Sequence, residues 1–164
     1  MRYLTKLIMV LISTAFLTGC VSVTPTGGPY EKKPVATNQA KILLIRLGST
    51  LYRDRLPAVR LDDQFVGFLP DGGFLELDTT PGTHQVTLVR HEDYARRWNF
   101  KPLTINVPLA PGETKFYEMD INMTNFRTVL LVSKWDDRVT LTPVAEEQAL
   151  KTLPSLNKTL ITDK

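Results

Sequence analysis

Few side chains in this 164-residue chain are of a type that does chemistry. It has one cysteine, Cys20, and two histidines, His84 and His91. His91-Glu92-Asp93 sets three metal-ligating types in a row, but adjacent residues rarely converge on one ion without ligands from elsewhere. His84 follows Pro81-Gly82-Thr83, and no second motif is spaced to use it as a base. It reads instead as a strand-opening residue whose ring caps the turn or packs on a sheet edge. The acidic pairs Asp62-Asp63 and Asp136-Asp137 lack the further oxygen ligands that a calcium loop supplies in one stretch, and read as turn formers. The chain has no Gly-x-Ser-x-Gly elbow, no phosphate-cradling glycine loop and no His-Glu-x-x-His. The expectation is a protein that is not an enzyme, with no catalytic residue, no metal and no resident cofactor. A cryptic hydrolase or metal-binding protein using His84 or His91 is the alternative.

The best candidate for recognition is the stretch from Arg90 to Trp98. It interrupts a β-type pattern and mixes Arg90, His91, Tyr94, Arg96, Arg97 and Trp98. Arg, Tyr and Trp are enriched in interface hot spots because they join large contact area to hydrogen-bonding ends, and an arginine fork matches phosphate or carboxylate. The competing account puts Trp98 at the start of a strand, in the core, with Arg96 and Arg97 merely solubilising the loop.

Cys20 sits behind a leader with the parts of a secretory signal: basic Arg2 and Lys6, apolar Leu7 to Phe16, then small Thr18 and Gly19. The apolar part is shorter than the roughly 20 residues that a membrane-spanning helix needs. Leu17-Thr18-Gly19-Cys20 resembles the lipobox of bacterial lipoproteins. That resemblance implies cleavage before Cys20, a diacylglycerol on its sulfur and an acyl chain, such as palmitate, on the new amino terminus. An unlipidated lone thiol in an exported chain would have no disulfide partner. Two or three acyl chains anchor a protein stably where one does not. By the same resemblance, Val21 and Ser22 after the cysteine, in place of Asp, imply the outer membrane, with the domain in the periplasm.

Cleavage also changes the charge. The chain carries 20 basic and 17 acidic side chains, and losing Arg2 and Lys6 leaves 18 against 17, a net charge of +1. No nucleic-acid partner follows from that. From Val21 to Ala40, prolines at Pro25, Pro29 and Pro34 and the pair Gly27-Gly28 give too little apolar surface to offset ordering. The segment reads as a flexible tether, spanning at most about 65 Å extended and averaging about 25 Å as a coil.

The elements that position any site are short β-type runs. They cover Lys41–Leu47, Ala58–Leu61, Phe65–Leu69, Phe74–Asp78, His84–Val89, Leu103–Leu109, Lys115–Met123, Phe126–Trp135 and Arg138–Pro143. Turns are expected at Asp62-Asp63, at Thr80-Pro81-Gly82-Thr83 and Ala110-Pro111-Gly112-Glu113, where Pro then Gly suits a type II turn, and at Asp136-Asp137. The core is expected from alternating residues including Leu43, Ile45, Val59, Phe74, Val86, Leu88, Val107 and Ile121. Val144–Leu153 is rich in helix formers, and the tail after Pro154 reads as polar and frayed.

Leu69-Pro70-Asp71-Gly72-Gly73-Phe74, then Leu77, Pro81 to Val86 and Ala110 to Tyr117, resemble small bacterial lipoprotein domains of unknown function and the related PEGA-type β-sandwich modules. The resemblance implies an all-β protein: a single antiparallel β-sandwich, immunoglobulin/transthyretin-like, with a short C-terminal helix. The expected organisation is a signal peptide over 1–19, a lipidated terminus and tether over 20–40, the sandwich over 41–143, and helix and tail over 144–164. The expected role is that of an envelope lipoprotein held to the membrane by its lipid, binding an envelope protein, glycan or lipid headgroup. An accessory subunit of a secretion or envelope assembly is the alternative within that class.

Overall fold

A computed structural model describes residues 24–90, 100–129 and 132–160. Over the described residues it is all-β, two stacked sheets with one short helix. Nine strands occur among the described residues: β1 (Ala40–Arg46), β2 (Pro57–Leu61), β3 (Gln64–Phe68), β4 (Gly73–Thr79), β5 (Gly82–Arg90), β6 (Leu103–Leu109), β7 (Thr114–Val129), β8 (Val132–Val144) and β9 (Asn157–Lys158). One sheet has the order β8-β7-β1-β4-β9, the other β3-β2-β5-β6.

The expected all-antiparallel arrangement is corrected in one sheet. β1 runs antiparallel to β4 but parallel to β7, with Lys41 beside Thr114 and Arg46 beside Met119. β4 and β9 are parallel too. β1 is central and buried at all seven positions, which is how an almost unbroken apolar run settles when both faces are covered. Ile42 and Leu44 face the second sheet, packing with Val59, Leu75, Val86, Leu88 and Val107. Leu43, Ile45 and Phe74, expected in that same core, point the other way into a second one with Phe116, Ala149, Leu153 and Leu156.

That second core is roofed by α1 (Glu146–Thr152) and a 3-10 turn (Leu153–Ser155). A seven-residue helix is marginal alone, so burial of Ala149 and Leu153 must hold it. Glu146 and Glu147 in its first turn and Lys151 in its last suit the helix dipole. The tail after Pro154 is ordered rather than frayed. Leu156 and Thr159 are buried, and the Thr159 amide donates to the Phe74 carbonyl at 2.8 Å. Residues 161–164 lie outside the described part.

The stretch read as a tether also differs from expectation. Its described residues run back along the domain, with the Gly27 amide donating to Lys158 O at 2.8 Å and the Lys158 amide to Gly28 O at 3.1 Å. Tyr30 closes the second core, its ring edge-on to Phe74 and Phe116 at 6.0 and 6.5 Å between centroids. Composition undercounted one aromatic anchor. Gly27 permits the approach, since a Cβ there would lie 2.7 Å from Lys158 Cβ.

Turn chemistry held where it is local. Asp62 and Asp63 both have positive φ, 49° and 65°, as a type I′ hairpin needs. Gly112 has φ 73° and the Glu113 amide reaches Ala110 O at 3.1 Å, which is a type II turn. Gly82, at φ 142°, departs from the type II value of about 80°. Asp136-Asp137 is not a turn: Asp137 faces Met123 and Asp136 faces Thr124 inside one long hairpin, which reverses between Val129 and Val132. Of the two late strands expected on either side of that pair, Phe126–Trp135 is divided: its residues to Val129 continue β7, and those from Val132 join Arg138–Pro143 in β8.

Candidate functional site

Two of the concave features of the domain lie at the end where β1 finishes. Arg46 closes β1 with its side chain only 3% exposed. A charged group at the end of an apolar run must be paired when buried, and its guanidinium donates to the carbonyls of Arg55, Leu69 (3.0 Å) and Tyr52 (2.6 Å). Asp71 Oδ1 stands 3.6 Å from it and accepts the Ser49 amide at 2.9 Å. Burial pulls the Arg46 pKa down to about 10, with Asp71 and Asp54 opposing, so the group stays charged near neutrality. This clamp builds the 47–56 loop, inside which Ser49 Oγ accepts the Leu51 and Tyr52 amides at 3.3 and 3.4 Å.

Between that loop and β7 lies an open cavity of about 450 Å³, lined by Arg46, Ser49, Tyr52, Glu118 and Asp120 among others. A second, of about 440 Å³, is lined by Phe100, Lys101, Thr124, Asp137 and Arg138. Arg55, from the 47–56 loop, pairs with Asp137 of the second, its Nε 3.7 Å from Asp137 Oδ2, with the side chains 11% and 4% exposed. That pairing is why Asp137 sits in a strand: a tertiary partner outweighs its turn preference. The Arg46 donors are committed to backbone carbonyls.

Arg90, the one described member of the predicted recognition loop, is exposed and pairs with Pro57 across β2 and β5. It lies at this same end. His91, Tyr94, Arg96, Arg97 and Trp98 lie outside the described residues, as does Cys20. His84 is at the opposite end and caps the hairpin turn. Its Nδ1 is 2.6 Å from Asp62 Oδ2, and Nε2 is 2.9 Å from Thr80 O. The Asp62 carboxylate also accepts the Gln85 amide at 2.8 Å. That amide bond and His84 hold Asp62 below the usual carboxylate range, while the Asp62 contact raises His84.

Sequence reasoning missed Arg46 and Asp71, although an arginine ending an apolar run was a signal. It also missed a second cluster. Glu76 bridges Lys41 and Lys158, the latter at 2.5 Å, with Asp78 3.4 Å from Lys41. Burial drives the Lys41 pKa down and Glu76 up, but their mutual hydrogen bond and neighbours reverse both, leaving Lys41 raised and Glu76 lowered. These contacts knit β1, β4 and β9. Among the described residues no group of three or more His, Cys, Asp or Glu is placed to hold a metal ion, and no helix is long and apolar enough to cross a membrane. Comparison of the chain with protein-family models, with curated proteins and with solved structures found no match.

Proposed function

We propose that the protein is a lipid-anchored envelope lipoprotein whose sandwich is a non-enzymatic binding or structural module. The carrying observation is Leu17-Thr18-Gly19-Cys20, the sole cysteine behind a basic-then-apolar leader. On this reading Cys20 bears the diacylglycerol and acyl chains, the outer membrane holds the protein, and the domain lies in the periplasm. The sandwich belongs to the immunoglobulin/transthyretin-like, PEGA-related group, a reading supported by its Pro-Gly turns and two stacked sheets. Its partner is another envelope component, engaged at the loop end that carries Arg90. Two measurements test this. The mass of the N-terminal peptide from purified membranes should equal a peptide starting at Cys20 plus diacylglycerol and an acyl chain; a peptide retaining the leader, or an unmodified Cys20, refutes the anchor. Crosslinking in intact cells should return an envelope component, and recovery of none refutes the binding role.

A further inference from the structure

The anchor reading acquires a geometry from where the described chain begins. The rung on which Arg46, Gly73 and Met119 sit side by side marks the loop end of the first sheet. Pro25 packs against this rung: a Cβ added to Gly73 would lie 3.2 Å from Pro25 Cβ. Four residues lie between Cys20 and Pro25, and the five steps that join them span at most about 17 Å. The loop end is therefore the end nearest the lipid, on a leash far shorter than the full Val21–Ala40 stretch would allow.

From the same rung the β7–β8 hairpin continues. β7 runs ten residues past Met119, to Val129, which at about 3.3 Å per residue is an arm of about 30 Å. β1 no longer flanks it there, and the arm exposes Met123 (47%) and Phe126 (61%). The adjoining loop exposes Leu47 (39%) and Leu51 (75%). An arm longer than the leash, leaving the same end, comes within reach of the bilayer surface. Exposed charges at this end are of both signs, Arg53, Arg90, Lys101, Arg127 and Arg138 with Asp54, Asp120 and Asp136, and the exposed apolar side chains supply an attraction that needs no anionic lipid.

We propose that the β7–β8 arm and the 47–56 loop dock on the bilayer, placing Leu51, Met123 and Phe126 at the boundary between headgroups and acyl chains. The proposal rests on lipidation of Cys20. Because a lipidated Cys20 has no free thiol, a cysteine introduced elsewhere is uniquely labelled. Leu51→Cys, Phe126→Cys and, at the opposite end, Asp63→Cys are made in the full chain, purified from membranes, labelled with bimane and reconstituted in phosphatidylcholine vesicles containing 5-doxyl lipid. Quenching at 51 and 126 is expected to exceed that at 63 by roughly threefold or more, without any anionic lipid. Met123→Cys replaces either variant that does not accumulate. Equal quenching at all positions, with diacylglycerol confirmed on the N-terminal peptide, overturns the docking and leaves the anchor standing. Labels in cell membranes shielded from iodide yet not quenched by doxyl lipid overturn it in favour of a protein partner. A peptide without diacylglycerol removes the anchor and the docking together.

Discussion

Arg46→Met isolates what the buried guanidinium does. Methionine fills much of the volume but strips the donors from three carbonyls, those of Tyr52, Arg55 and Leu69. A buried polar group left unpaired costs about 1–3 kcal/mol. The cavity beside Ser49 and Tyr52 admits water to part of this cluster, so the loss should fall near the lower end for each group, about 3–5 kcal/mol in all. Asp71 keeps its Ser49 amide and so is not stranded. Against a total stability of about 5–15 kcal/mol, such a loss is easily measured. Urea unfolding of residues 20–164 carrying Cys20→Ser gives the magnitude, and hydrogen exchange at Ser49 and Tyr52 reports the loop directly. Arg46→Lys should fall between, since an ammonium is a point donor and cannot reproduce the planar fork. A loss for Arg46→Met below about 1 kcal/mol, with exchange in the loop unchanged, would refute the clamp.

Three further perturbations address other layers. Leu153→Ala, at a fully buried position under the helix, should cost about 2–5 kcal/mol in urea unfolding; a value under about 1 kcal/mol would mean that the helix roof is not part of the cooperative unit. Gly27→Val, which sets a side chain against Lys158, should release the N-terminal segment and raise protease cleavage before Ala40, whereas Gly28→Val, with open space around it, should not; equal cleavage in both would count against the docked segment. The folded pKa of His84 lies above its unfolded value near 6.5, so its contribution is full below that value and fades as pH rises through the folded one. Asp62, depressed from about 3.9, contributes above that value and loses its contribution as pH falls through its folded pKa. Both act together between about pH 4 and 6.5, and the thermal midpoint should peak there. His84→Gln should flatten the alkaline side and Asp62→Asn both sides; an unchanged pH profile in either would show that the pair contributes nothing.

What could be read from sequence was what depends on neighbours in the chain. The Asp62-Asp63 hairpin and the Pro111-Gly112 turn follow from backbone preferences that no distant residue overrides. Alternation placed Val59, Val86, Leu88 and Val107 in the inter-sheet core, since a period of two with one dry face fixes the register. Asp136-Asp137 failed as a turn because Arg55, far along the chain, gives Asp137 a partner inside a strand. Leu43, Ile45 and Phe74 obey the alternation but sit on the other face, and nothing local says that a helix and Tyr30 will cover it. The parallel pairing of β1 with β7 is equally silent, because both neighbours of a central strand look alike from its own residues. Arg46 and Asp71 share no motif; only the oddity of a charge ending an apolar run pointed at the former.

The second core explains where the first and last described segments lie. β1, buried on both faces, needs a cover on the side away from the sandwich, and among the described residues the segments before Ala40 and after Val144 supply it. They meet there and depend on each other. Tyr30 packs on Phe74 and Phe116, Gly27 and Gly28 bond Lys158, and Lys32 reaches Glu146 at the start of the helix at 2.6 Å. A strand of the core thus recruits residues that composition alone assigns to a flexible leash. Where the described chain begins is then set by packing on Leu43, Ile45 and Phe74 rather than by the number of prolines and glycines. On the proposed lipidation of Cys20, that docking would set not only how far the domain stands from its membrane but which end it turns toward it.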